Sequence, residues 1–100
     1  MVYRIIWAPR ALEDLKDLVG YIRRDKPVVA RNFGEKIIVR AESLCVMPEK
    51  GRIIPKFGDP KLREIIVPPY RIAYRIKQAQ GLIEIARIWH GARSPEDFTL

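Results

Sequence analysis

The stretch LREIIVPPYRIAYRIKQAQGLIEIARIWHGAR, residues 62–93, decides how this chain folds. Leu62–Val67 is dense in β-branched residues and reads as a strand. Pro68 and Pro69 have no N–H to offer a ladder, so the strand must turn or kink there. Tyr70–Lys77 then reads as a second strand, Gln78–Gly81 as a turn and Leu82–His90 as a third strand. The last is apolar on both parities, with Ile83, Ile85 and Trp89 on one and Leu82, Ala86 and Ile88 on the other. A central strand covered on both faces has this composition.

Upstream, VYRIIW (2–7) is a further strand, and Pro9 suits the first turn of a helix, where its missing N–H is not needed. Leu12, Leu15, Leu18, Val19 and Ile22 recur at three- and four-residue spacing, which predicts an amphipathic helix over 9–24. Asp25-Lys26-Pro27 is a break and a restart. Ala30, Phe33, Ile37, Ala41 and Leu44 form the stripe of a second helix that ends by Pro48. Gly34 permits close packing on the first helix. The short connection makes the pair an antiparallel hairpin. Residues 48–61 hold three prolines and two glycines and read as a loop anchored by Ile53, Ile54 and Phe57. The tail 91–100 is expected over a sheet edge. The whole is one α+β domain, 1–100, in which Leu15, Leu18, Ile22, Phe33, Ile37 and Leu44 pack between hairpin and sheet.

A single domain of 100 residues buries a modest core and has no room for a large cofactor cavity, so no cofactor is expected. The formal net charge is +7, which favours an anionic partner. Residues 50–77 hold eight cations against only Asp59 and Glu64. One cysteine, Cys45, excludes an intrachain disulfide and fits a reducing cytoplasm. Met1–Trp7 lacks the basic and apolar regions of a signal peptide. No apolar run approaches the ~20 residues that span a bilayer, so no membrane partner is expected. One Cys and one His cannot build a Cys/His zinc site. No phosphate-binding glycine loop or paired acids stand out.

Two elements offer chemistry. In Tyr70–Lys77, period 2 puts Arg71, Ala73, Arg75 and Lys77 on one face, with Arg71 and Arg75 about 13 Å apart at ~3.3 Å per residue. That spacing engages two phosphates or two carboxylates, or else the face is simply solvated. His90 ends a strand, and Arg93 follows a Gly-Ala step. A histidine beside a guanidinium suits proton transfer with phosphate stabilisation. From the chemistry alone the plainer reading is preferred, in which His90 caps the sheet by bonding a backbone carbonyl.

The opening strand followed by WAPRALEDLKDLVGYI, then PPYRIAYRI, then IARIWHGAR, in that order in a basic chain of this length, resembles the RelE/ParE superfamily of type II toxins, especially its ParE-like plasmid-stabilisation branch. The resemblance implies a helical hairpin on a small twisted, mainly antiparallel sheet. It also implies a cognate antitoxin as partner and growth inhibition as effect; separately, an exposed helix face or sheet edge leaves a homodimer open. ParE-like members inhibit DNA gyrase; RelE-like members cut mRNA on the ribosome without a metal. If the chain is a ribonuclease, Arg71 and Arg93 fall on the family's phosphate-handling arginines and His90 serves as the proton-transfer group. Arg52, Lys56, Lys61, Arg63, Arg75 and Lys77 are then the surface for target or antitoxin. The departures are an apolar residue near Ile65 or Ile66, where those nucleases carry a proton-accepting lysine, and Phe98 or Thr99 in place of a late tyrosine. The ParE-like reading is therefore preferred, with the RelE-like nuclease and a non-toxic antitoxin-binding module as alternatives.

Overall fold

A computed structural model describes residues 2–92 and 100. The chain runs β1 (Arg4–Trp7), α1 (Pro9–Arg23), α2 (Pro27–Glu42), β2 (Arg52–Ile53), β3 (Leu62–Val67), β4 (Tyr70–Lys77) and β5 (Leu82–His90). Both helices begin with proline at the first position, and neither has a side-chain cap. Proline's fixed φ supplies the start that the capping residues, Ala8 and Lys26, do not. The sheet order is β1-β5-β4-β3-β2. The β2–β3, β3–β4 and β4–β5 pairs are antiparallel, whereas β1 lies parallel to β5. The helical hairpin between β1 and the later strands makes that parallel return feasible.

The hairpin covers one sheet face. Leu18, Ile37, Ala41 and Leu44 are buried against Ile65, Val67, Ile72, Tyr74, Ile76, Ile83, Ile85 and Ile88, with Leu15, Ile22 and Phe33 packed around them. All six residues expected between hairpin and sheet lie there. Gly34 is buried, and a Cβ on it would sit 3.1 Å from Val19 Cγ2, so the glycine does set the approach of α2 to α1. β3 and β4 join through Pro68 and Pro69, whose peptide bond is cis. Gly81 closes the β4–β5 connection in the left-handed region at φ 63°, where a side chain is disfavoured.

Three features differ from the sequence expectation. The 48–61 loop contains the two-residue strand β2, too short to leave an alternating pattern. Of its three expected anchors only Ile54 is buried; Ile53 and Phe57 are exposed. The third is a bulge. Ala73 pairs with Arg87 and Tyr74 with Ile85, which leaves Ala86 without a partner on β4. The parity of β5 therefore flips midway. Ile83 and Ile85, then Ile88 and His90, pair with the β4 residues facing the helices, while Glu84, then Arg87 and Trp89, pair with the opposite face. This is why β5 is apolar on both parities, and why Trp89 leaves the face it appears to share with Ile83 and Ile85.

Candidate functional site

The sheet face away from the helices is built by alternation along β4. Arg71, Ala73, Arg75 and Lys77 are on it, as the period predicts, because Tyr70, Ile72, Tyr74 and Ile76 join the core. Its middle is apolar: Ile54, Ala73 and Trp89 form a separate cluster on which Leu100 packs. Leu100 thus packs on the middle of this face, where the tail was expected over a sheet edge; residues 93–99 fall outside the described residues.

The cations around this centre come in two groups, each arranged on a glutamate. Glu64 of β3 is fully buried, and its Oε2 receives Arg52 Nε at 2.6 Å, with Arg71 Nη1 at 3.6 Å. Its Oε1 is buried without a hydrogen-bond partner. Glu84 of β5 takes Arg75 Nη1 at 2.8 Å, with Lys77 Nζ at 3.9 Å. Each group sets two cations on one carboxylate and so keeps a net positive charge. These acids hold the long basic side chains in place, which lowers the entropy lost when an anion docks. Sequence reasoning treated Glu64 only as a debit in the charge count. Its place as the one acid within the β-branched run Leu62–Val67 was the available signal.

The other predicted cations are dispersed. Arg63 is directed to loop carbonyls: its Nε donates to Pro60 at 2.8 Å and its Nη1 to Gly51 at 3.0 Å. Arg63 therefore braces the loop. Lys61 is exposed beside β3, and its backbone N–H donates to Asp59 Oδ1 at 2.9 Å. Lys56 Nζ lies 5.3 Å from the centre of the Phe57 ring, within cation–π range.

Of the three candidate catalytic residues, the structure places two, Arg71 and His90, on opposite faces of the sheet. Arg71 pairs with Trp89 on the open face, whereas His90 pairs with Tyr70 on the helix side. Arg93 lies outside the described residues. The His90 ring stands edge-on to Tyr70, with centroids 5.4 Å apart, and its Nδ1 accepts the Ala92 N–H at 3.1 Å. It thus caps the strand end by accepting an N–H, where a bond to a carbonyl was expected. Gly91 is needed beside it: its N–H donates to the Pro69 carbonyl at 2.6 Å, and a Cβ would come within 2.9 Å of that oxygen. Half of the His-Gly-Ala-Arg element is thereby accounted for by chain geometry.

Tyr74 was missed. Its hydroxyl accepts the Gly51 N–H at 2.9 Å and donates to the Pro48 carbonyl at 2.6 Å. Burial raises its pKa above the ordinary tyrosine value, against the opposing pull of the Gly51 N–H and Arg63. Tyr70 is raised too, by burial first and then by neighbouring Tyr21. A fully buried tyrosine inside an apolar strand needs a partner for its hydroxyl, and the loop provides two. No group of His, Cys, Asp and Glu able to hold a metal ion occurs among the described residues. No helix among them is long and apolar enough to cross a membrane.

Comparison with known proteins places the chain. It is 38% identical over 91 residues to Toxin RelE2 of Caulobacter vibrioides, covering 90% of this chain and 97% of that one. Toxin RelE1 of the same organism is 28% identical over 93 residues, covering 91% and 96%. Among solved structures, the chromosomal ParDE toxin–antitoxin system from P. aeruginosa superposes with a TM-score of 0.74 at 21% identity, over 89% of this chain and 96% of that one. An E. coli RelE mutant in the free state gives 0.60 at 17% identity, over 96% and 90%. Both structures share this fold. The family model for the ParE toxin of type II toxin–antitoxin systems, parDE, matches residues 5–95. With nearly the whole chain matched, this protein belongs to the ParE toxin family of type II toxin–antitoxin systems.

Proposed function

We propose that this toxin acts by binding, in the ParE manner, with DNA gyrase as the target and a cognate antitoxin as the neutralising partner. The observation that carries this reading is the division of the nuclease candidates between two faces of the sheet, Arg71 on one and His90 on the other. General acid–base catalysis needs the proton-transfer group within hydrogen-bond reach of the scissile phosphate that the arginine holds. The residue opposite Arg71 is Ile66, which is exposed and has no proton to exchange. Arg71 is also partly neutralised by Glu64. What remains on the open face is fixed positive charge around an apolar centre, which suits recognition better than phosphodiester cleavage.

The antitoxin follows from the family and from the solved neighbours, several of which are toxin–antitoxin complexes, such as the intact RelBE complex of E. coli. A second reading, ribosome-dependent mRNA cleavage, is favoured by the names of the two Caulobacter relatives, both RelE toxins. A third, a module that binds antitoxin without toxicity, predicts normal growth on expression.

Two assays on the purified toxin separate these readings. Inhibition of gyrase supercoiling, with no cuts in mRNA on programmed ribosomes, is the expected result. Mapped cuts in ribosome-bound mRNA that disappear in Arg71→Ala would replace the gyrase reading with the nuclease one. Growth arrest on expression, relieved by co-expressing the antitoxin, is expected under either. Its absence leaves only the third reading.

A further inference from the structure

The first helix carries a glycine that the fold does not need. Gly20 lies in the last turns of α1. Its φ is not positive, and a Cβ built on it would meet nothing within 4 Å. Gly34 on the facing helix is different, since a side chain there would press on Val19. A glycine inside a helix is markedly less favourable than alanine, yet among the described residues no contact calls for this one. What it leaves is an open hollow of about 650 Å³, lined by Lys16, Asp17, Gly20, Tyr21, Arg23 and Arg24.

The cations around the hollow are available to a ligand. Lys16, Arg23 and Arg24 are all exposed, and none of them is in an ion pair with another of the described residues. The open sheet face differs: Arg52, Arg71, Arg75 and Lys77 are each drawn to Glu64 or Glu84, and Arg63 donates to loop carbonyls. Arg23 and Arg24 also suit the negative end of the helix dipole, which accounts for neither Lys16 nor Gly20. Lys16 and Arg23 are seven residues apart, so they share one face of α1 at about 10.5 Å along the axis, with Gly20 between them. One strand of B-DNA carries about three phosphates over that length.

We infer that this ridge of α1 is a binding site for the sugar–phosphate backbone of duplex DNA, with Gly20 the point of closest approach and Lys16, Arg23 and Arg24 meeting phosphates on either side of it. Tyr21, 70% exposed, adds a hydroxyl donor at the edge. Asp17 opposes the phosphates and holds the affinity down. No apolar side chain apart from Tyr21 lines the hollow, so a protein segment would find little to bury there. A single strand would want a row of aromatic rings to stack on, and Tyr21 is the one aromatic lining it. Backbone contacts of this kind place a protein on a duplex without reading its sequence. The inference goes beyond the gyrase reading, because it concerns DNA in the absence of the enzyme and stands whichever target the toxin has.

The test is fluorescence anisotropy of a short labelled DNA duplex titrated with the full chain at several salt concentrations. Lys16→Gln and Arg23→Gln are each expected to weaken binding roughly threefold, the size of one exposed charge contact, and to lower the salt slope by about one. Asp17→Asn should tighten it. Gly20→Leu should weaken it roughly fivefold or more, because two such contacts are held off. Its urea midpoint should stay at or above the parent's, leucine being a far better helix former than glycine. Undiminished binding by Gly20→Leu overturns the inference, and so does a fall in its midpoint, which would show that the chain needs the glycine for itself. Losses in Lys16→Gln and Arg23→Gln no larger than in Lys36→Gln, an exposed cation of α2, also overturn it. The same holds for no binding at low salt, or for a short RNA duplex that binds more tightly than the DNA.

Discussion

The Tyr74 hydroxyl lies between the Gly51 N–H and the Pro48 carbonyl, and its ring fills the core below them. Tyr74→Phe keeps the ring and strands both backbone groups. A loss of about 1–3 kcal/mol is expected in urea unfolding, the usual penalty for buried polar groups left unmade. The pH dependence has a definite sign. Burial raises the folded-state pKa above the ordinary tyrosine value of 10.0. The unfolded chain therefore releases its proton first, and stability falls as pH climbs from about 10 towards the folded value. In the phenylalanine variant that alkaline decline should be shallower; an unchanged slope would remove Tyr74 as its source. Glu64 gives the second prediction at this scale. Arg71→Ala leaves the 2.6 Å contact from Arg52 intact, and Arg52→Ala leaves Arg71. Removing both abandons a fully buried carboxylate, so the double variant should lose more stability than the singles sum to, by about 1–3 kcal/mol. Strict additivity in a double-mutant cycle would show that the two arginines do not share Glu64.

At the scale of elements, the boundaries were legible because proline and glycine mark them. Pro9 and Pro27 start the helices, the two consecutive prolines turn β3 into β4, and Gly81 turns β4 into β5. The helix stripes were equally plain, since three- and four-residue spacing survives any tertiary context that buries one face. Leu18→Ala is expected to lower stability by about 2–5 kcal/mol, because the side chain is buried between hairpin and sheet. A change under about 0.5 kcal/mol in chemical denaturation would mean that α1 rests on another face. The bulge was not legible. Two parities of apolar residues describe a doubly covered strand and a strand that switches faces equally well, and only the pairing of Ala73 and Tyr74 tells them apart. The candidate site was affected most by this, because the switch decides that His90 stands across the sheet from Arg71.

For the whole molecule, the charge was legible and its arrangement was not. Composition gives +7, but no count reveals that Glu64 and Glu84 each set two cations, or that Arg63 is spent on loop carbonyls. Such pairings depend on strand register, which one sequence does not expose. The net charge still acts at long range. Association with an anionic partner should slow by about tenfold or more between low salt and 0.5 M, while dissociation changes little. Stopped-flow rates at several ionic strengths would test this, and a salt-independent association rate would assign recognition to apolar contacts.

One feature of the sheet bears on how it meets other chains. β1 accompanies β5 only as far as Ile85, so the rest of β5 would be a bare edge, open to a foreign strand. The first helix closes it: Ala8 donates its N–H to the Ile85 carbonyl, and the Asp14 carboxylate accepts the Ile88 N–H at 2.9 Å while gripping Arg87. A side chain here does the work of a strand. At the opposite end the sheet finishes in β2, just two residues long, which gives an incoming strand little to register against. The long strand β5 is thus shielded from edge-to-edge growth at its border, whereas β2 pairs β3 only at Arg63 and Glu64, so Ile65–Val67 of β3 is the stretch against which an incoming strand would align.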